Sequence, residues 1–138
     1  MGLHTYIKRK LYERRKRLVQ LTFPLYCKAH GVKRPDRQGA IVQSKAGDGL
    51  QLVHVPLAQY PHNVYIYNAE LNRVIGYVHE TLAKKMVYLF GKNFCRDGQV
   101  TEITGGGEYK YHGCNLEVFE TMNLLRHTHE DLVHLRGN

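Results

Sequence analysis

The chain has 138 residues and three cysteines, with a formal net charge of +8. That length suits one domain with a modest core, and no apolar run is long enough to span a membrane. Cys27, Cys95 and Cys114 make an odd set, which argues against a disulfide framework and for a reducing, intracellular and not a secreted setting.

The charge is confined to one part of the chain. Eleven of the twenty Lys and Arg residues, against only two acids, Glu13 and Asp36, lie in residues 1–37, which therefore carry +9. The remainder carries −1. Such a segment calls for a polyanionic partner, nucleic acid first. Residues 5–23, TYIKRKLYERRKRLVQLTF, predict a helix with Ile7, Leu11 and Leu18 near one face. Lys8, Arg9, Lys10, Arg14, Arg15, Lys16 and Arg17 cover most of the rest. Seven cations within ten positions repel one another unless something neutralises them. The apolar stripe is too narrow, and too poor in Trp and Phe, for a membrane-surface helix. Pro24 ends the element, and LYCKAHGVKRPDRQ reads as an irregular connection.

From residue 39 the period becomes two. GAIVQS and GLQLVHV predict strands joined by KAGDG as a hairpin, and NVYIYN and RVIGYV predict two more around NAELNR. HETLAKKMVYLF predicts a helix with Leu82, Met86, Val87 and Phe90 towards the core. GKNFCRDGQ reads as a loop. QVTEI and EYKYHG form a hairpin around Gly105-Gly106-Gly107, and NLEVF is either a further strand or the opening of a last helix, TMNLLRHTHEDLVHL. The fold class expected is α+β: a small, mainly antiparallel β-barrel with one inserted helix and flanking N- and C-terminal helices. The boundaries are a basic helical extension over 1–35, the barrel over 36–120 and a C-terminal helix over 121–138.

Gly47, Leu50, Leu52, Val53, Pro56, Tyr60, Asn63, Ile75, Gly76, Tyr77, Leu82 and Ala83 fall in an order that resembles the HIRAN domain. That family occurs on DNA-remodelling ATPases and as standalone prokaryotic modules. The resemblance covers residues 36–120 and implies a six-stranded barrel, related to OB and SH3-like folds, that binds the 3′ end of single-stranded DNA. The family loop N-P-x-D-x-N-A is replaced here by Gln59-Tyr60-Pro61-His62-Asn63-Val64, with Pro61 in place of the aspartate that receives the terminal hydroxyl. For the family's Arg–aromatic pair the nearest candidates are Arg34 and Arg37, without an adjacent aromatic. The expectation is a site that no longer prefers a free 3′ hydroxyl and to which a 3′ phosphate makes little difference.

The candidate nucleic-acid contacts are Arg34, Arg37, Tyr60, His62, Asn63, Tyr77 and His79 on the barrel, with the seven cations of the first helix on phosphates. Tyr60 can stack on a base and His62 can meet a phosphate or base edge. Asn63 is more simply read as a turn residue that bonds backbone. Cys27-x-x-His30 and His112-x-Cys114 could in principle close a tetrahedral zinc site, but neither spacing is familiar. His127, Glu130, Asp131 and His134 share a helix face and read as solvated. No nucleotide-binding, metalloprotease or serine-hydrolase motif occurs. The reading is a non-catalytic binding module without metal or cofactor. Its partner is nucleic acid, DNA before RNA, within or beside a larger nucleic-acid-processing complex and not at a membrane. The alternative is a protein-interaction module, a small subunit, adaptor or inhibitor, that docks on an acidic partner.

Overall fold

Alternating apolar residues build one sheet at the centre of the molecule. The computed structural model describes residues 2–9 and 21–120. Six antiparallel strands, β1 (Leu25–Lys28), β2 (Gly49–His54), β3 (Val64–Asn68), β4 (Arg73–Tyr77), β5 (Cys95–Gly106) and β6 (Tyr109–Val118), pair in the order β1-β6-β5-β2-β3-β4. Among the described residues three helices accompany them: α1 over residues 3–9, α2 (Pro35–Gln43) and α3 (Glu80–Phe90). The fold is α+β with a curled antiparallel sheet. Among the described residues no helix is long and apolar enough to cross a membrane.

The curl follows from pairing. The long β5 serves β2 along its first half and β6 along its second, with a register shift between Val100 and Glu102 that bends the strand. The sheet edges then meet. His30, two residues past β1, and Tyr77, the last residue of β4, exchange both backbone hydrogen bonds at 2.9 and 3.0 Å. α2 packs on β4 and on β6, across the remaining gap. Inside lie Ile41, Leu50, Leu52, Val64, Ile66, Ile75, Met86, Leu116 and Val118, all fully buried. Each such aliphatic side chain contributes about 1.5–3 kcal/mol of burial. Val53, Val55, Tyr65 and Tyr67 form a second buried cluster on the opposite face of β2 and β3.

The hairpin of β3 and β4 and the helix after it lie where expected. Met86 is fully buried, with Leu82, Val87 and Phe90 packed beside it. The hairpin of β5 and β6 also turns at the triple glycine. Five expectations are corrected. GAIVQS is not a strand but the body of α2, so two helices and not one lie between strands. Pro35 sits in the first turn with Asp36, and Arg37, Ala40 and Ile41 bury one helical face. KAGDG is therefore not a hairpin but the passage from α2 into β2. There Asp48 accepts from the Lys45 N–H and the Asn68 amide, which also donates to Ser44. LYCK is a strand, β1, N-terminal to residue 36: Leu25 and Cys27 turn inward and Tyr26 and Lys28 outward. Cys95–Gln99 in the expected loop pair with β2, and NLEV continues β6. The helix expected over 5–23 is present over 3–9, and Leu21 and Phe23 are non-helical and pack on the core instead. Residues 10–20 and the helix expected over 121–138 lie outside the described residues.

Cys27 and Cys114 face this core. Burial pushes the Cys27 thiol up to about 11, and burial, with Cys27 and Asp48 nearby, pushes Cys114 up to about 12. Thiolates are the reactive form, so at mildly alkaline pH neither should react with a disulfide reagent in the native protein. Both should react promptly in denaturant. Fast native labelling of either, mapped by peptide mass, would contradict this packing.

Candidate functional site

The link from β2 to β3 is a tight loop because its backbone bonds are paired across its base. Val55 and Asn63 close it through the Val55 N–H to the Asn63 carbonyl (3.0 Å) and the Asn63 side-chain amide to the Val55 carbonyl (3.1 Å). Leu57 and Tyr60 exchange both backbone bonds above that. His54, 3% exposed, anchors the loop from below. Its Nδ1 accepts from the Asn93 N–H (2.8 Å), so its Nε2 carries the proton and donates to the Pro61 carbonyl (2.8 Å). This rigid frame holds Tyr60 outward, 59% exposed. It places His62 half-buried, with a buried Nδ1 that has no partner among the described residues.

The facing wall comes from the sheet closure. Arg37, in the first turns of α2, is 7% exposed. Its Nη1 donates to the Gly31 carbonyl (2.8 Å), and its guanidinium lies 5.9 Å from the Tyr77 ring centroid. Gly31 has φ +66°, and a Cβ there would stand 2.1 Å from a Tyr77 ring carbon and 2.7 Å from Arg37 Nη1. Only glycine combines that conformation with that approach. His30 lies against the Tyr77 ring at 6.4 Å and against His79 at 5.1 Å. His79 caps α3 by accepting the Thr81 N–H at Nδ1 (3.3 Å). Between these walls is a cleft of about 500 Å³, lined in part by Leu57, Tyr65 and Val78.

The cleft is short of negative charge. Glu80, exposed at the start of α3, is the one carboxylate among its described lining residues. Arg34 is paired with Asp36 at 3.2 Å on the surface. Arg37 has no carboxylate among the described residues within ion-pairing distance. Burial, then the neighbouring Arg34, lowers the Arg37 pKa, yet guanidinium stays charged. His30 lies below the usual imidazole range because of burial, then His79 and Lys28.

Seven of the residues singled out in the sequence, Arg34, Arg37, Tyr60, His62, Asn63, Tyr77 and His79, line this one cleft. Asn63 also does the turn work expected of it. Lys8 and Arg9 are exposed on α1, whereas Lys10, Arg14, Arg15, Lys16 and Arg17 lie outside the described residues. Tyr77 supplies, from the end of β4, the ring that the residues flanking Arg34 and Arg37 lack. His30 was weighed in the sequence only as a partner of Cys27. In the structure it turns to the cleft while Cys27 packs on the core, and among the described residues no three His, Cys, Asp or Glu side chains converge. His127, Glu130, Asp131 and His134 lie outside the described residues. No protein-family model matches the chain, and no curated protein or solved structure matches it either.

Proposed function

We propose that this chain is a non-catalytic module that binds single-stranded nucleic acid in the cleft, on a sheet of HIRAN type akin to the OB and SH3-like barrels. The observation that carries the reading is Arg37, a nearly buried cation without a carboxylate partner among the described residues. An unpaired buried charge costs several kcal/mol unless an anion joins it. A phosphate accepts from guanidinium in fork geometry. Tyr60, exposed across the cleft, offers the ring face on which a base stacks, and Tyr77 backs the cation. The cations of residues 8–17 extend the phosphate contacts along the strand. DNA is preferred to RNA on the family resemblance, which the Arg37–Tyr77 pairing and the helix following β4 support. The described lining residues include no serine, cysteine or lysine nucleophile, which favours binding over catalysis.

Fluorescence anisotropy with a short labelled single strand tests this. Stacking on an aromatic side chain contributes about 1–3 kcal/mol per base. Tyr60→Ala should therefore weaken binding at least several-fold, while Tyr60→Phe, which keeps the ring, should not. An unmodified chain that retains no single strand even at low salt would overturn the reading in favour of an adaptor.

A further inference from the structure

The cleft offers more positive and proton-bearing nitrogen than one internal phosphodiester needs. Arg37 uses one of five donors within the protein. The buried His62 Nδ1 has no partner among the described residues, and the His30 and His79 rings stand 5.1 Å apart on the same wall. The first turn of α3 opens there too, since His79, Glu80 and Ala83 line the cleft, and a helix N-terminus favours anions. A volume of about 500 Å³ suits a single small molecule, hence one terminal nucleotide rather than a run of them.

We propose that the cleft selects a strand end that carries a phosphomonoester, held by Arg37 with the imidazoles of His30 and His79 beside it. This rests on the nucleic-acid reading above. It replaces the expectation, drawn from Pro61 alone, that a terminal phosphate is neutral. A phosphodiester has one negative charge and Arg37 balances it. A terminal phosphate carries nearly two at neutral pH, because its second pKa is about 6. The second charge requires a second cation, and His30 can become one by taking up a proton.

The groups that bear on His30 are Lys28 on β1, Arg34 just before α2 and Arg37 on it, Tyr77 on β4, His62 on the loop, and His79 and Glu80 at α3. Burial, then His79 and Lys28, lower the His30 pKa and so favour its neutral form at pH 7. A bound dianion raises its pKa, so the complex holds more protons than its parts. Affinity then rises as pH falls, by up to about tenfold per unit while His30 alone is being protonated. It stops rising near pH 6, where the phosphate takes its own second proton.

The test compares one oligonucleotide with hydroxyl ends, with a 5′ phosphate and with a 3′ phosphate on the full chain, between about pH 8 and about pH 6.5. One phosphorylated form should bind at least about tenfold tighter than the hydroxyl form, and increasingly so as pH falls. Which form does so gives the polarity of the strand. Arg37→Gln should erase the preference, with thermal unfolding to check that it folds. His30→Gln, whose backbone bonds to Tyr77 are untouched, should flatten the pH dependence. Equal affinity for all three ends overturns the inference and leaves the binding reading standing. Failure of all three to bind overturns both.

Discussion

Gly76→Ala should lower stability by about 3 kcal/mol and the melting temperature by about 10 °C in a chain of this size. Gly76 lies one residue before the end of β4, where the edges of the sheet meet. A Cβ there would stand 2.6 Å from the His30 carbonyl oxygen, 3.3 Å from the Ala29 Cβ and 3.5 Å from a Val32 methyl. The first contact is with backbone, which cannot swing aside as the end of a long side chain can. The strands must part, and the two bonds between His30 and Tyr77 stretch or break. Overpacking costs about 1–3 kcal/mol, and each lost backbone bond adds about 1 kcal/mol. Calorimetry or a circular-dichroism melt measures the total. A loss well under 1 kcal/mol would mean that the closure contributes little to the fold. Since His30 and Tyr77 are also cleft walls, the destabilised protein should bind its ligand more weakly even well below its melting temperature.

The closure also shows why part of the site was legible in the sequence and part was not. Tyr60, His62 and Asn63 are adjacent in the chain, in a loop whose turn chemistry depends on local residues, so their grouping could be read directly. Tyr77 and His79 flank a strand-to-helix junction marked by a change of period and were also within reach. His30 belongs to the site only because a single bridge draws it to Tyr77, 47 positions away, and no local pattern encodes that pairing. The buried state of Arg37 was hidden for a related reason. Residues 39–44 read as a strand because GAIVQS alternates, yet helical spacing of Arg37, Ala40 and Ile41 was available once Pro35 was taken as a helix start. Read as a strand, the segment left Arg37 in a connecting loop, where a surface cation is ordinary. Placed on a helix that spans the gap in the sheet, it becomes a nearly buried charge under a tyrosine ring, with no carboxylate pairing it among the described residues. Arg96, Asp97 and Gly98 misled in the opposite direction. Their polarity suggests a loop, but Arg96 and Asp97 pair with β2 and Gly98 with both β2 and β6, and tertiary pairing outweighs local propensity.

Exchange of Lys8, Arg9, Lys10, Arg14, Arg15, Lys16 and Arg17 for glutamine should have the largest effect on binding of any change considered. It removes seven positive charges from a chain whose formal net charge is +8. On the proposed reading a cleft of about 500 Å³ takes about one nucleotide, so any further grip on a strand must come from cations outside it. Each phosphate contact on a single strand contributes about 0.7 to the slope of log affinity against log salt. Loss of three or more contacts should lower the slope by about 2 or more. Tyr60→Ala should behave differently. Stacking releases no counterions, so affinity drops equally at every salt concentration and the slope stays. The two exchanges thus separate the uncharged part of recognition from the charged part within one titration series. A slope unchanged by the sevenfold exchange would mean that these cations do not meet the strand. Seven unneutralised cations would then need another anionic surface, and an acidic protein partner, which the adaptor reading supplies, becomes the better account of them.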